Sequence, residues 1–255
     1  MCELLALSFN KPVNASLSFG GFRNRGVDNP CGWGYAYYTD KTAHLYKEPI
    51  EMSESKTAEL LINNKRIISK IFIAHVRLSS VGKISEENTH PFKRELLSKH
   101  YVFAHNGTIK NYHKLKLNYF KPDGETDSEY AFCYILDQIK ERNIKNWNKD
   151  SFMWFEKLLY KINGYGNMNI IMSEGEYLFC YFDKNGYNGL SYVKRETPFS
   201  YVKLLDEDYE INLAEEKSPF QAGYIIASHP LTDENLLKFK PRELKVFKGG
   251  EIVYS

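Results

Sequence analysis

A nearly continuous apolar run close to the N-terminus constrains the fold more than any other feature. Residues 4–9 read Leu-Leu-Ala-Leu-Ser-Phe, and the polar segment Asn10-Lys11-Pro12 follows at once. A strand with one solvated face alternates apolar and polar residues, whereas a strand buried on both faces is apolar throughout. The run therefore predicts a short strand in the interior of a layered protein.

Aromatic and β-branched segments predict further strands, and segments with helical apolar spacing predict helices. The predicted strands span residues 35–38, 43–46, 70–81, 101–105, 167–172, 177–182, 190–195 and 224–228. The predicted helices lie within residues 15–25, over 53–66, from 126 onward and over 152–162, while the acidic segment 206–216 is predicted to be a solvated loop or edge. Strands, then helices, then strands again favour two sheets with helices on their outer faces over an alternating parallel fold.

Length and composition narrow the class of protein. A chain of 255 residues predicts one domain over residues 2–255, and 43% hydrophobic with 26% charged residues excludes disordered and fibrous classes. With 34 basic and 32 acidic residues the net charge is +2, so we expect neither nucleic acid nor a membrane as partner. The chain has no apolar run of the ~18 residues that a membrane span needs and no signal-peptide pattern, which predicts a cytoplasmic location.

The cysteines and histidines give no metal pattern. Cys2, Cys31, Cys133 and Cys180 are far apart and form no C-x-x-C pair, which argues against a zinc site and against a disulfide scaffold. Three histidines, at positions 75, 90 and 105, also match no zinc spacing. We therefore expect no metal and no other cofactor.

Cys2 is a candidate nucleophile because of its position. Methionine aminopeptidases remove Met1 when the second residue is small, and removal would leave a thiol and a free α-amine on one residue. An α-amine has a reference pKa of roughly 7.7–8.0, so near neutrality it can take the proton of the thiol. The alternative is that Cys2 is simply a small buried residue at the start of an apolar strand.

Two further segments have a structural and a functional interpretation. Arg77 lies near the end of the predicted strand 70–81, where a buried guanidinium must pair with an acid or bind an anion, unless it simply reaches solvent. The pair Asn106-Gly107 follows the predicted strand 101–105. It either forms a type I′ hairpin turn or supplies an amide and a backbone N–H, at a strand end, as the two donors of an oxyanion hole.

Asp127 lies at a predicted helix start. Thr126 with Glu129 three residues later forms a capping box, which leaves Asp127 at the first helical position. There its carboxylate interacts favourably with the helix dipole, by about 0.3–1 kcal/mol, and this role alone explains the residue. The alternative is a ligand-binding carboxylate. With Cys2, Arg77 and Asn106-Gly107, it would complete a site that hydrolyses an amide of an amino acid.

At this point the sequence resembles a known family, the class II glutamine amidotransferases with an N-terminal nucleophile (Ntn). The resemblance covers nearly the whole chain, through Pro198-Phe199 and residues 204–208 to the C-terminal strands, and is greatest to the compact stand-alone bacterial members of the YafJ type. It implies an α+β fold, a four-layer αββα sandwich of two stacked, largely antiparallel sheets. The segments that carry it are Cys2, Arg25-Gly26, HVRLSSVG (75–82), NTHPF (88–92), AHNG (104–107) and ETDSE (125–129).

The resemblance also implies a role for each matching residue. Cys2 would be the nucleophile and, through its amine, the base. Asn106 and Gly107 would form the oxyanion hole, Arg77 with Ser80 beside it would bind the α-carboxylate, and Asp127 would bind the α-ammonium. The implied reaction hydrolyses the side-chain amide of glutamine through a γ-glutamyl thioester and releases glutamate and ammonia.

Alternatives remain open within this resemblance. The chain length leaves no room for a synthase domain, so we expect a separate enzyme as ammonia acceptor or a plain hydrolase. A γ-glutamyl hydrolase acting on a glutathione-like compound would use the same residues, and a catalytically silent glutamine-binding regulatory module would keep Met1. Members fused to synthase domains have Trp and His where this chain has Leu78 and Val81. Cys31 stands where a polar or acidic residue is expected, and we assign it no role.

Overall fold

The computed structural model describes residues 1–205, 210–216 and 218–255. Part of the predicted acidic loop, residues 206–209, lies outside the described residues. The remainder of that segment forms a short strand and a four-residue helix.

The described residues form strands that we number in chain order. They are β1 (Glu3–Asn14), β2 (Trp33–Thr39), β3 (Thr42–Glu48), β4 (Ile68–Val76), β5 (Phe92–Leu96), β6 (Lys99–Ile109), β7 (Gly166–Ser173), β8 (Leu178–Tyr181), β9 (Ser191–Arg195), β10 (Tyr201–Lys203), β11 (Glu210–Asn212), β12 (Gly223–Ala227), β13 (Leu237–Lys238), β14 (Leu244–Lys248) and β15 (Glu251–Tyr254).

The helices of the described residues are numbered in the same way. They are α1 (Ser16–Arg23), α2 (Lys56–Asn63), α3 (Asp127–Glu141), α4 (Lys149–Asn163) and α5 (Leu213–Glu216), with 3₁₀ turns at Asn24–Gly26, Met52–Glu54 and Tyr112–Lys114. Within the described ranges, every helix is too short or too polar to traverse a lipid bilayer.

The strands form two large antiparallel sheets. The first has the order β13-β9-β12-β1-β4-β2-β3 and the second the order β15-β14-β8-β7-β6-β5, while β10 and β11 form a separate two-stranded sheet. The predicted architecture of two stacked, largely antiparallel sheets is confirmed.

Three apolar clusters separate four layers. One cluster joins the first sheet to α1 and α2, and includes Phe19 and Phe22 of α1 against Leu5 and Leu7 of β1. A second cluster lies between the sheets, and a third joins the second sheet to α3 and α4. This is the αββα sandwich that the sequence predicted.

Strand β1 lies inside the first sheet, between β12 and β4. Leu4 and Ala6 face the other sheet, while Leu5 and Leu7 face the helices, which explains the continuous apolar run. The strand is longer than predicted and continues to Asn14. Its pairing with β4 shifts register between Ser8 and Val13, and this irregularity accommodates the polar residues 10–12, at which the sequence predicts the end of the strand.

The hairpin turn beside strand β6 does not lie at the Asn106-Gly107 pair. Strand β5 was missed by the sequence analysis, and the turn that joins it to β6 is Leu97-Ser98, whose φ angles of 52° and 59° are left-handed. Asn106-Gly107 instead lies within β6 and pairs with Asn169 and Met168 of β7. The hairpin-turn interpretation of Asn106-Gly107 is therefore wrong.

Candidate active site

Cys2 directly precedes β1 and is half-buried. Its Sγ accepts a hydrogen bond from the Leu78 N–H at 3.1 Å and lies 3.2 Å from the Leu78 carbonyl oxygen, to which the thiol can donate. Burial raises the pKa of the Cys2 thiol, although the Leu78 N–H and the Arg77 charge act in the opposite direction. The thiol is therefore protonated at neutral pH, and a base must remove its proton before it can act as a nucleophile.

Asn106 lies beside Cys2 across the interface between the sheets. Its side chain is 2% exposed, and Nδ2 donates a hydrogen bond to the carbonyl oxygen of Cys2. A carboxamide nitrogen carries two hydrogens, so one remains for another acceptor. Val102 and Ala104 of β6 pack between the sheets, and strand alternation places Asn106 on the same face.

Gly107 follows within the same strand, which corrects the prediction that the pair stands at a strand end. Its φ of 150° lies in a region that other residues rarely adopt. A Cβ at this position would lie 2.8 Å from Nε2 of His105 and closer still to the carbonyl oxygen of Asn167. Glycine is thus required for β6 to pass β7 so closely beside Cys2.

Arg77 follows β4 at the same end of the first sheet as Cys2. Its guanidinium donates to the carbonyl oxygens of residues 81, 82 and 83 at 2.9, 3.3 and 3.1 Å, and to Oγ of Ser79 at 3.1 Å. Arg77 is only 3% exposed, so the interpretation in which it simply reaches solvent is wrong. Burial lowers the pKa of Arg77.

Within the part of the chain that the structure describes, no direct ion pair neutralises the charge of Arg77. Among the described residues, no carboxylate oxygen lies within 4.0 Å of its guanidinium, and its hydrogen-bond acceptors are neutral oxygens. A buried cation held by neutral groups is costly unless an anion binds beside it. Ser80, in the loop after Arg77, is exposed, and its Oγ lies 3.4 Å from Oγ1 of Thr108.

Asp127 is the first residue of α3 and is buried. Its Oδ2 accepts a hydrogen bond from the Ile109 N–H at 2.5 Å, which ties the carboxylate to the end of β6. Thr126 caps the helix as predicted, because its Oγ1 accepts from the Glu129 N–H at 3.1 Å. The Glu129 carboxylate accepts instead from the N–H groups of Asp123 and Gly124. Of the predicted capping box, the structure thus shows the hydrogen bond to the Thr126 side chain.

The three histidines occupy two different environments. His105 is buried between β6 and α3, with Nδ1 2.7 Å from Oγ of Ser128 and Nε2 3.2 Å from the Asn167 carbonyl oxygen. His75 and His90 pack together, with ring centroids 4.4 Å apart. No group of three or more His, Cys, Asp or Glu in the described part of the chain could hold a metal ion.

A family model for the class II glutamine amidotransferases matches residues 1–255. The chain belongs to this family.

Individual relatives agree with the family. The chain is 35% identical over 259 residues to YafJ of Escherichia coli, a protein named provisionally as a glutamine amidotransferase, with 99% of this chain and all of YafJ covered. It is 49% identical over 255 residues to an uncharacterised protein of Methanocaldococcus jannaschii, covering 100% of this chain and 71% of the relative. A crystal structure of a predicted glutamine amidotransferase from Pseudomonas aeruginosa superposes with a TM-score of 0.73 at 26% identity, covering 100% of both chains. The resemblance and the fold class are thus confirmed.

The candidate site includes one further residue that was not predicted from the sequence. Asn188, in the segment after β8, donates from Nδ2 to the Cys2 carbonyl oxygen at 3.0 Å. The same carbonyl therefore receives two side-chain amides, one from Asn106 and one from Asn188. The sequence does contain a second Asn-Gly pair, Asn188-Gly189, but no local pattern relates this pair to Cys2.

A cavity of about 680 Å³ lies away from this site. Its lining includes Phe9, at the far end of the apolar run from Cys2, together with Tyr38 and Glu174. Phe9 lies seven positions beyond Cys2 along an extended chain, which corresponds to roughly 23 Å. The cavity is thus not part of the candidate active site.

Proposed function

We propose that this chain is a glutaminase whose nucleophile is Cys2. One observation carries the proposal: the Cys2 thiol, the buried Arg77 guanidinium and the Asn106 amide lie together at one end of β1. A thiol can attack the side-chain amide of an amino acid, and an amide donor can stabilise the oxyanion that forms. A buried cation can bind the α-carboxylate of the same amino acid. The domain that performs this reaction spans residues 2–255.

The first half-reaction begins with removal of Met1. The freed α-amine of Cys2 takes the thiol proton, and the thiolate attacks the amide carbon of the glutamine side chain. The second N–H of Asn106 and the backbone N–H of Gly107 stabilise the resulting oxyanion. The α-ammonium of Cys2 returns the proton to the amide nitrogen, the C–N bond breaks so that this nitrogen leaves as ammonia, and a γ-glutamyl thioester remains on Cys2.

The second half-reaction releases glutamate. Water attacks the thioester with the α-amine again as base, the C–S bond breaks, and the thiol recovers its proton. Arg77, with Ser80 beside it, binds the α-carboxylate of the substrate, and Asp127 binds its α-ammonium. A separate enzyme can accept the ammonia.

The test combines intact mass with turnover. We expect the mature protein to have lost one Met, and purified protein to release equal amounts of glutamate and ammonia from glutamine. Cys2→Ala should abolish turnover while it leaves the unfolding temperature unchanged. Turnover by Cys2→Ala at the parent rate would exclude Cys2 as nucleophile.

A panel of other γ-glutamyl compounds decides the substrate. Assays with glutathione and γ-glutamyl dipeptides measure glutamate release independently of ammonia. Greater kcat/KM for a dipeptide than for glutamine would replace the glutaminase by a γ-glutamyl hydrolase. Retained Met1 and no release from any compound would instead indicate a binding module.

A further inference from the structure

The segment between β8 and β9 places Asn188 beside Cys2, although the two residues are far apart in the sequence. The two residues are 186 positions apart, and Nδ2 of Asn188 lies 3.0 Å from the Cys2 carbonyl oxygen. The contact is to the backbone of the proposed nucleophile and not to its thiol. It therefore bears on how Cys2 is held.

Buried polar groups hold this segment in place on both sides of Asn188. Oδ1 of Asp183 accepts from the N–H groups of residues 185 and 187 at 2.8 and 3.3 Å. Nδ2 of Asn169 donates to the carbonyl oxygens of residues 187 and 189 at 2.7 and 3.4 Å. Asp183 and Asn169 are both fully buried, so their hydrogen bonds fix the segment from within the second sheet.

The backbone of Asn188 is also specialised. Its φ is 53°, in the left-handed region that Asn, Asp and Gly adopt at the least cost. This conformation, together with the anchored flanks, directs the side chain toward Cys2. The contact is therefore a consequence of how the segment is built.

The second polar atom of the Asn188 side chain is its carbonyl oxygen, Oδ1. Oδ1 is buried, and within the described residues it has no hydrogen-bond partner. A buried acceptor left unpaired costs roughly 1–3 kcal/mol, so a donor is expected there. With Met1 in place, the Cys2 nitrogen is a peptide nitrogen with a single hydrogen. Removal of Met1 would give this nitrogen further hydrogens, and Asn188 already contacts the carbonyl oxygen of the same residue.

We propose that Asn188 is a positioning residue that holds both backbone groups of Cys2. Its Nδ2 donates to the carbonyl oxygen, and its Oδ1 accepts from the α-amine that is freed with the loss of Met1. An amine rotates about the N–Cα bond, and only some orientations direct its lone pair toward Sγ. An acceptor that binds one amine hydrogen restricts this rotation. The inference rests on the proposed function, because it assigns Asn188 to the proposed base.

Two variants that keep the left-handed backbone test this role. Asn188→Gly removes the amide, and Asn188→Asp replaces it by a carboxylate of the same shape. An acceptor stabilises the ammonium form, and a carboxylate does so more strongly. We expect Asn188→Gly to lower the apparent pKa of the α-amine and Asn188→Asp to raise it, each by about half a unit to one unit. A residue with only a structural role would not produce shifts of opposite sign.

The amine is observed in two ways. NMR titration of protein labelled with ¹³C and ¹⁵N at cysteine follows the Cys2 backbone without any turnover, and the acid limb of the kcat/KM profile follows the base during catalysis. Asn185 lies in the same segment and is exposed, so Asn185→Gly and Asn185→Asp are the matched controls and should titrate like the parent. Intact mass establishes Met1 loss, and thermal unfolding establishes folding for every variant.

The outcomes separate this inference from the proposed function. Folded, Met1-free Asn188 variants that titrate like the parent, in a parent that hydrolyses glutamine, would overturn the positioning role alone. Opposite shifts in a parent without glutaminase activity would support the positioning role and overturn the proposed function. Retained Met1 in the parent would overturn the positioning role, and retained Met1 without glutamate release would overturn the proposed function as well.

Discussion

The environment of the Cys2 thiol makes the free amine a requirement of the proposed mechanism. Burial raises the pKa of this thiol, and the Leu78 N–H and the Arg77 charge oppose burial without overcoming it. A protonated thiol is a poor nucleophile at neutral pH, so a general base should contribute about 10²–10⁴-fold in rate.

An N-terminal extension that resists processing tests this requirement. It keeps the Cys2 nitrogen in a peptide bond, where it cannot act as a base. We expect kcat/KM for glutamine to fall by about 10²–10⁴-fold, with the unfolding temperature unchanged. The same residues added at the C-terminus serve as control and should leave ammonia release at the parent rate. Equal activity of both extended proteins would show that another group takes the thiol proton.

Asp127 has two roles that a single substitution can separate. Asn in its place keeps an oxygen for the Ile109 N–H but loses the charge that would bind the substrate ammonium. We expect Asp127→Asn to raise KM for glutamine by about 10–100-fold, the size of a lost charged hydrogen bond, with little change in unfolding temperature.

Glu125 provides the control for Asp127. Its carboxylate is 58% exposed and lies 3.7 Å from the Lys83 ammonium. Surface ion pairs contribute little, so Glu125→Gln should leave both KM and stability unchanged. An unchanged KM in Asp127→Asn would leave Asp127 with its structural role only.

At the level of elements, β6 supplies both proposed oxyanion donors. Asn106 and Gly107 are consecutive, so their positions are coupled through one backbone that β7 holds by pairing. Any change that displaces β6 from β7 therefore affects both donors and the Ile109 N–H bound by Asp127.

Gly107→Ala should show this coupling. Its Cβ would meet His105 and the Asn167 carbonyl oxygen, and its φ of 150° is strained for alanine. We expect a loss of about 2 kcal/mol or more in the free energy of unfolding, measured by denaturant titration, and a kcat lower by at least about tenfold.

A glycine in a helix is the matched control for this strand glycine. In α1, a Cβ on Gly20 would meet its nearest neighbour, Cγ2 of Ile62, at an ordinary 3.7 Å. Gly20→Ala should leave activity unchanged and stabilise the protein by about 0.5–1 kcal/mol. Parent-like stability and kcat in Gly107→Ala would contradict the steric argument for glycine.

At the scale of the whole molecule, stability should depend on two buried histidines. His75 and His90 are 0% and 4% exposed, and burial lowers the pKa of His75 from 6.5 to about 3 and that of His90 well below its usual value. Below about pH 6.5, the unfolded chain binds protons that the folded chain does not. The folded state is therefore fully stabilised above this pH and loses stability as the pH falls toward 3.

The slope of this loss can be assigned to one residue. A single histidine contributes up to about 1.4 kcal/mol per pH unit in this window. We expect His75→Leu to reduce the slope of unfolding free energy against pH between 6 and 4, measured by denaturant titration at each pH. His113 is exposed, so His113→Asn should keep the parent slope. Equal slopes in all three proteins would show that His75 does not titrate on unfolding.

Structural features that depend on residues close together in the sequence could be predicted from the sequence. The apolar run of β1, the capping threonine of α3 and the pair β7 and β8 were predicted from spacing and residue type, because these preferences act between near neighbours. The strand β5 was missed, since its sequence FKREL has little apolar content and its turn uses Leu97-Ser98 in place of Gly or Asn. There, pairing with β6 overrides local preference.

The sequence by itself determined the family and the layered fold, and it predicted the residues of the candidate site, because motifs and apolar periodicity are properties of neighbouring residues. Only the tertiary structure decided that Asn106-Gly107 lies within a strand, that Arg77 is buried among neutral oxygens, and that Asn188 reaches Cys2. These facts arise from strand register and from contacts between distant parts of the chain. Such contacts depend on how the two sheets pack, which no short segment encodes alone.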